Sequence, residues 1–374
     1  MAAGPRGEES VMQELPQLSI ESCRVRQQRL CESLADQNAD RAIFVAPENV
    51  QWLTGFRPHP LMRAIAVLDV DDGCMLIAPG EEPPYHAADE IRIFDAQWRC
   101  TLRQDQLKAA MQRVEKSNKR TALEFSSCGE HVRQSVGTEP IDLDSTLWNL
   151  RRKKEPDELG MMLHAINCTD AMYQKAREII QPGITELEVF CQLHSVAVQT
   201  AGEPLTALGN DYQSNSPGGP PRTRCVQAGE LMILDLGPAY RGYHADNCRT
   251  FAVNGRPTDK QLRARDVIMT VFDLVKAFVK PGQSCQELFV QAKALLDEYE
   301  PDAFFHHLGH GVGLYPHEAP HLNPSWDDRF AEGDVFTVEP GLYNASLRAG
   351  IRIEENYVVT SNGVQQLTNT STQL

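Results

Sequence analysis

The sequence lacks the features that would place it in a membrane or on a nucleic acid. It contains no stretch of about 18 consecutive apolar residues, the length that a membrane-spanning helix needs. Residues 1–19 are polar and include no apolar segment of signal-peptide length. The chain has 36 Lys and Arg against 51 Asp and Glu, and no extended basic run offsets the net charge of −15. This acidic balance argues against nucleic acid and anionic membranes as partners.

Cysteine pairs at metal-binding or redox spacing are also missing. The ten cysteines are scattered along the sequence, and no two of them form a C-x-x-C motif. In a chain of 374 residues this usage is typical of reduced, mostly buried thiols in a cytoplasmic protein. A disulfide scaffold and a thiolate zinc site are therefore not expected.

The length and the hydrophobic pattern predict an α/β (α+β) protein of two domains. Residues 1–18 are expected to be a disordered arm, residues 19–148 an N-terminal α/β domain, and residues 149–374 a second domain. The composition, 41% hydrophobic and 23% charged, is that of a soluble globular protein. In the first domain the apolar spacing predicts a helix over 20–38 and strands over 42–45, 64–68 and 75–77.

The second domain contains an internal duplication. Long helices predicted over 157–180 and 260–279 are each followed by a Pro-Gly turn, at 182–183 and 281–282. Each half then has an apolar strand that ends in a carboxylate and a glycine. These strands are 229–237, with Asp235, and 333–341, with Glu339. Two such halves facing each other would bring their strand carboxylates to a shared centre.

Four carboxylates in this domain are candidate metal ligands. Asp235 ends an apolar strand, where an unpaired charge would be costly, so it needs a cation or strong donors. Asp246 follows a turn that would allow a hairpin to bring it to the same face as Asp235. Glu339 and Glu354 lie at or near the ends of strands. Read singly, each of these residues could equally be a turn aspartate or a solvated glutamate.

A group of histidines and an alternating strand complete the candidate site. His310 lies in a glycine-rich segment with two more histidines just before it, and His317 and His321 follow. A lone histidine here would more often be a core residue, whereas this cluster indicates a site. Strand alternation places Arg352 on the same face as Glu354, and it places Glu355 on the opposite, exposed face.

Four carboxylates and one imidazole, without a thiolate, form an oxygen-rich ligand set. Such a set suits two divalent ions, for which Mn²⁺ is the first choice and Co²⁺, Zn²⁺ or Fe²⁺ are alternatives. Two cations about 3.5–4 Å apart can share a hydroxide and polarise a carbonyl group. A neighbouring carboxylate could then act as a general base and later as an acid.

The segments around these residues resemble the pita-bread metallopeptidases, which include aminopeptidase P, prolidase, methionine aminopeptidase and creatinase. Residues 235–250 resemble the family signature D-x-G … G-Y-x-x-D-x-x-R-T, and residues 306–310, 337–343 and 350–354 resemble the later blocks in the same order. Residues 49–56 are similar to the N-terminal domain of the creatinase and prolidase branch. The resemblance implies a pseudo-twofold pita-bread domain after a creatinase-like N-terminal domain.

The resemblance also implies a role for each matching residue. Asp235 would bind one ion, His310 and Glu339 the other, and Asp246 and Glu354 both. Glu339 would in addition carry the proton of the bridging water. Further residues would act on the substrate: His306 and His317 would hold its carbonyl group and the tetrahedral intermediate, and Arg352 and Tyr343 would be polar residues beside the ligands. Creatinase itself lacks the metal ligands, so the intact set argues against a metal-free creatinase reaction.

One departure from the family bears on specificity. Peptidases of this branch carry a substrate-binding histidine before the first metal aspartate, and Gly218 occupies that position here. The whole segment 214–223 contains no histidine. The leading hypothesis is hydrolysis of a small peptide at a bond involving proline, by a cytoplasmic homodimer that acts as an Xaa-Pro aminopeptidase or dipeptidase. The alternatives are a hydrolase or lyase acting on a non-peptide small molecule at the same metal site, and a silent binding protein.

Overall fold

The computed structural model describes residues 15–100, 105–136, 139–209 and 211–374, which form an N-terminal α/β domain followed by a larger α/β domain. The fold class predicted from the sequence is confirmed. Most of the predicted arm, residues 1–14, lies outside the described residues. The last residues of that arm do not behave as an arm, because Leu18 is buried and accepts a hydrogen bond from Tyr85 through its carbonyl oxygen.

The N-terminal domain is built on one mixed sheet. Its elements are α1 (Ile20–Asp36), β1 (Arg41–Phe44), α2 (Pro47–Thr54), β2 (Ile65–Asp69), β3 (Gly73–Pro79), β4 (Glu90–Phe94), α3 (Gln106–Met111), β5 (Thr121–Leu123), α4 (Glu130–Ser135) and β6 (Ile141–Asp142), with a 3₁₀ turn at Trp98–Cys100. The strands lie in the order β4-β3-β2-β1-β5-β6. Ser19 begins α1 by accepting a hydrogen bond from the amide of Ser22. The helix and strands predicted for this domain are confirmed.

The larger domain consists of two similar halves. Helix α5 (Asp144–Arg152) leads from the N-terminal domain into the first half, which contains α6 (Pro156–Ile179), α7 (Glu186–Ala201), β7 (Ala207–Leu208), β8 (Asp211–Ser214), β9 (Leu231–Leu236), β10 (Pro238–Tyr240), β11 (Tyr243–His244) and β12 (Asn247–Ala252). The second contains α8 (Asp259–Phe278), α9 (Cys285–Asp297), β13 (Gly309–Gly311), β14 (Glu318–Leu322), β15 (Val335–Val338), β16 (Gly341–Leu342), β17 (Ile351–Arg352), β18 (Glu355–Thr360) and β19 (Gly363–Gln366), with a 3₁₀ turn at Ala345–Leu347.

The duplication predicted from the sequence is present in the structure. Each half runs from a long helix through a Pro-Gly turn into a second helix, which is capped by Thr185 in one half and by Ser284 in the other. Each capping residue also forms a β-bridge to a later segment, at Cys225 and at Arg329 respectively. In the first half β9 lies between β8 and β12, and in the second β15 lies between β13 and β18. The two carboxylate strands are therefore central in their sheets.

Buried ion pairs join the two domains. Arg26, on α1, is fully buried and donates to both carboxylate oxygens of Asp157, at 3.0 and 3.1 Å. The next residue, Glu158, accepts a hydrogen bond of 3.1 Å from the hydroxyl of Tyr243. The predicted domain limit at 148/149 falls inside α5, and the chain leaves that helix at Lys153. Because a buried charge needs its partner, these contacts hold the two domains together.

A second buried cluster fixes the segment that carries His317. Glu318 lies 2.9 Å from the ammonium nitrogen of Lys154 and 3.4 Å from Nε of Arg151, and all three side chains are almost completely shielded from solvent. Burial alone would raise the pKa of Glu318, but Lys154 and Arg151 outweigh it and hold the pKa below its usual value. The carboxylate is therefore ionised and anchors β14 to Arg151 at the end of α5 and to Lys154 just after it.

Replacing Glu318 by glutamine should lower the free energy of unfolding at neutral pH by about 3–5 kcal/mol, because two buried cations lose their counter-charge. The folded-state pKa is depressed, so this stabilisation is present above the ordinary carboxyl pKa and is lost as the pH falls through the folded value. Urea unfolding at neutral and acidic pH should show the gap between variant and wild type narrowing in acid. Glu178→Gln, which breaks a solvent-exposed pair with Lys175, should cost less than about 1 kcal/mol and serves as the control.

Candidate metal centre

The candidate site is a cleft of about 480 Å³ lined by residues of both halves of the larger domain. The first half contributes Asp235, on β9, and Asp246, between β11 and β12. A tight hairpin joins β10 to β11, with Arg241 and Gly242 both at positive φ, 46° and 88°. The hairpin reverses the chain, so that Asp246 returns to the cleft beside Asp235.

The second half contributes the other three candidate ligands. His310 lies on β13, Glu339 directly follows β15, and Glu354 lies between β17 and β18. Nδ1 of His310 is 3.0 Å from the carbonyl oxygen of Gly311. Because a carbonyl can only accept, Nδ1 carries the proton and Nε2 presents its lone pair to the cleft. That is the tautomer a metal-binding histidine needs.

The five candidate ligands meet at one point. Ligand atoms of Asp235, Asp246 and Glu354 all lie within 4.8 Å of one another, and so do those of His310, Glu339 and Glu354. Glu354 thus belongs to both groups. Nε2 of His310 is also 3.7 Å from Asp246 and 3.5 Å from Glu339. The geometry therefore provides two adjacent ligand groups that share Glu354.

The charges of this cluster fit divalent cations. Burial and the neighbouring carboxylates raise the pKa of Asp246 and of Glu354 well above the usual value, and that of Asp235 to about 6. Oε2 of Glu354 is buried and has no hydrogen-bond partner among the described residues. Such an arrangement is unfavourable for the protein alone, and a bound cation would relieve both the repulsion and the unsatisfied oxygen.

Glu339 is surrounded by imidazoles. Burial would raise its pKa, but His307, with Nδ1 3.2 Å from Oε1, and then His310 lower the pKa to about 2. Burial lowers the pKa of His306 and His310 to about 4, so both rings are neutral. Glu339 is therefore the carboxylate of the cluster that most readily stays ionised.

A chain of hydrogen bonds links Arg352 to His306. Nη1 of Arg352 donates to the hydroxyl of Tyr343 at 3.1 Å, and that hydroxyl lies 2.9 Å from Nε2 of His306. Nδ1 of His306 is 2.7 Å from the carbonyl oxygen of His307 and must be its donor. Tyr343 therefore lies behind the cleft surface and fixes the orientation of His306, while Arg352 and His306 line the cleft themselves.

His317 lies beside His310 in the same cleft. Its ring stacks on that of His310, with 3.7 Å between centroids and an interplanar angle of 11°. All three histidines line the cleft, but His317 is exposed, whereas His306 is half-buried and His310 is buried. Every site residue predicted from the sequence thus lies in or directly behind one cleft.

The structure corrects one prediction and adds two residues. Glu355 was predicted to be exposed but is 2% exposed, because β18 is an inner strand of its sheet, and its carboxylate pairs with the buried Arg249 at 2.8 Å. His307, which has no role among the residues predicted from the sequence, contacts Glu339. Asp211 forms an ion pair with Arg352. The cluster of histidines pointed to His307, whereas no sequence pattern pointed to Asp211.

The segment without histidine is folded tightly against the site. A Cβ atom at Gly218 would lie 2.8 Å from Cγ of Asp211, closer than side chains pack. The carbonyl oxygen of Pro217 accepts a hydrogen bond of 3.3 Å from Arg352. No side chain fits at position 218 unless Asp211 moves.

A cleft with four converging carboxylates and several neutral imidazoles defines the class of metal-dependent hydrolases. The model of metallopeptidase family M24 matches residues 160–361, and that of the creatinase/prolidase N-terminal domain matches residues 26–153. The chain belongs to metallopeptidase family M24 and is a metallopeptidase. Enzymes of this family use divalent metal ions, in agreement with the ligand groups described above.

Known proteins align with almost the whole length of this chain. The Xaa-Pro dipeptidase of Pyrococcus furiosus is 28% identical over 354 residues, which cover 93% of this chain and 99% of that protein. The structure of the prolidase from Pyrococcus furiosus matches with a TM-score of 0.78 and 25% identity, over 91% of this chain and 99% of that one. The structure of the Xaa-Pro dipeptidase from Bacillus anthracis shares the fold, with a TM-score of 0.80 and 22% identity, over 94% of this chain and 99% of that one.

Among the helices of the described residues, none combines the length and the apolar character that crossing a membrane requires.

Proposed function

We propose that the protein hydrolyses peptide bonds that involve proline, as an Xaa-Pro dipeptidase or aminopeptidase. The observation that carries this proposal is the meeting of five ligand side chains from both halves of the domain in one cleft. The choice of substrate is supported by the 28% identical relative named Xaa-Pro dipeptidase, which aligns over 93% of this chain.

Two divalent ions fit the ligand set. Asp235 would hold one ion, His310 and Glu339 the other, and Asp246 and Glu354 both. Glu354 belongs to both ligand groups, and Asp246 lies 3.7 Å from Nε2 of His310 in the second group. When bound, the ions would polarise the scissile carbonyl group and lower the pKa of the attacking water. Oxygen-rich ligands favour Mn²⁺, with Co²⁺, Zn²⁺ or Fe²⁺ as alternatives.

The side chains around the ions would orient the peptide and move protons. Glu339, kept ionised by its histidine neighbours, would accept the proton of the attacking water and deliver it to the leaving nitrogen. His317 is exposed in the cleft and could donate a hydrogen bond to the substrate carbonyl oxygen. Tyr343 would hold His306 in place, and Arg352 would hold Tyr343.

A second candidate is a hydrolase or lyase reaction on a small molecule other than a peptide at the same site. The observation in its favour is the turn at Gly218, where Asp211 occupies the space that a substrate-binding side chain would need.

The proposal also includes three predictions from the sequence: the domain limits, the homodimer and the cytoplasmic location.

The test is hydrolysis by purified protein that has been stripped of metal and reloaded with Mn²⁺, Co²⁺ or Zn²⁺. The substrates are Ala-Pro, a longer peptide that begins Ala-Pro, and Ala-Ala as the control without proline. Cleavage of Ala-Pro alone would identify a dipeptidase, and cleavage of the longer peptide an aminopeptidase. Failure to cleave either proline peptide with any of the three metals would contradict the proposal, and a screen of small amides would then test the second candidate.

A further inference from the structure

Two carboxylates face each other across neighbouring strands beside the metal centre. Asp211, on β8, pairs in register with Asp235, on β9. Side chains that are directly opposite on antiparallel strands point to the same face of the sheet, and like charges in such a pair repel. The pair therefore requires a cation between its members.

Arg352 supplies that cation. Its Nη2 lies 2.8 Å from Asp235 Oδ2 and also contacts Asp211 Oδ2. Its Nη1 is held by the hydroxyl of Tyr343 and the carbonyl oxygen of Pro217. The residue is 7% exposed, so solvent screens these interactions only weakly.

The second oxygen of Asp211 is equally fixed. Oδ1 accepts a hydrogen bond of 2.7 Å from the amide of Gly219, and the amide of Tyr212 donates to the carbonyl oxygen of Gly219 at 2.9 Å. The turn at Gly218 thus closes around the carboxylate, and glycine at this position leaves room for it. Asp211 is held between this turn and Arg352.

This arrangement has a consequence for the ligand Asp235. A guanidinium that pairs with a metal ligand competes with the metal for that ligand's charge. Asp211 places a second carboxylate beside Arg352. The single positive charge of Arg352 is then balanced by Asp211, and the negative charge of Asp235 is not neutralised. We propose that Asp211 is a positioning residue of the metal centre, which holds Arg352 in place and leaves Asp235 free to bind a divalent cation. The inference rests on the metal centre of the proposed function.

Calorimetric titration of Mn²⁺ into the metal-free protein tests this role without relying on activity. Asp211→Asn keeps the shape and can still accept from the amide of Gly219, but it removes the charge. We expect Asp211→Asn to weaken the affinity for at least one Mn²⁺ ion by about 10–100-fold, as for other residues that hold a metal ligand in place. Asp273→Asn, which removes an exposed charge on α8, should bind Mn²⁺ like the wild type.

A second set of variants addresses the same contact from the other side. Gly218→Ala places a methyl group against the carboxylate of Asp211 and should push it from Arg352, with a similar loss of affinity. In the Asp211→Ser background the same alanine has no carboxylate to displace, so it should change the affinity little. Comparison of the four folded proteins isolates the contribution of this contact to the affinity, and Asp211→Asn tests the same contact independently.

The outcomes separate the inference from the proposed function. If the wild type binds no Mn²⁺, the metal centre itself is wrong. If the wild type binds Mn²⁺ and folded Asp211→Asn and Gly218→Ala bind it equally tightly, Asp211 only stabilises the turn and the inference is overturned. Weaker binding by both folded variants, with Asp273→Asn unchanged, would support it.

Discussion

Replacing Glu339 by glutamine is expected to lower kcat by about 10²–10⁴-fold, the range in which general acid–base catalysis contributes. Glutamine preserves the shape and one oxygen, but it can neither carry the negative charge nor accept a proton. Burial would raise the pKa of the wild-type carboxylate, but its contact with His307 holds that pKa at about 2, so its charge is available at neutral pH. Steady-state kinetics with Mn²⁺ on a proline peptide, with metal content measured on the same samples, would reveal the effect.

The matched control for this change is Glu332→Gln, which replaces an exposed glutamate shortly before β15. Its kcat should equal that of the wild type. A Glu339→Gln enzyme with full metal content and nearly unchanged kcat would show that another group handles the proton, and it would remove Glu339 from the proposed mechanism.

Replacing Gly311 by alanine should destabilise the protein by about 1–3 kcal/mol or more, as expected when atoms are forced into a packed region. A Cβ atom there would overlap the carbonyl group of Ala319 and lie 2.9 Å from the carbonyl oxygen of Glu318. Strand β13 would have to separate from β14, and His310, the preceding residue, would shift with it. Urea unfolding and Mn²⁺ titration should therefore both show losses.

Gly363→Ala is the appropriate comparison. That glycine lies in β19, and no atom is within 4 Å of an added Cβ. The free energy of unfolding should change by no more than about 0.5 kcal/mol, as for most surface substitutions. A Gly311→Ala protein as stable as Gly363→Ala, with normal metal affinity, would mean that β13 and β14 can separate without cost.

The architecture was predictable because its signals are local. Apolar spacing of 3.6 residues marks α1, α6 and α8 over most of their lengths, and short apolar runs mark the inner strands of the first sheet. The internal duplication was visible because a Pro-Gly turn and a strand ending in a carboxylate recur in each half. Both features depend on neighbouring residues, which the sequence displays directly.

The candidate ligands could be named from motifs, but their meeting point is a property of the fold. Asp235 and Asp246 belong to one half, and His310, Glu339 and Glu354 to the other. Whether ligand atoms approach within 4.8 Å depends on how the halves pack, and that information is not local. The roles of these residues stay predictions until metal binding and turnover are measured.

The errors and omissions have a common physical origin. Strand alternation predicts an exposed Glu355 only where one face of the strand meets solvent, whereas β18 is covered on both sides and Arg249 compensates the charge. Asp211 was missed because its importance comes from its partner across the sheet and from Arg352, far away in the sequence. Long-range pairs of this kind leave no pattern in a single sequence.

The division of the ligands between the two halves has a consequence for how the enzyme matures. Neither half alone offers more than three of the five candidate ligands, so the proposed metal centre is complete only when both halves have docked. Contacts between such distant segments form late, since loop closure opposes them. In the proposed function, protein whose halves have not docked should therefore hold less Mn²⁺ than folded protein at the same Mn²⁺ concentration, which a metal measurement would show without an assay of turnover.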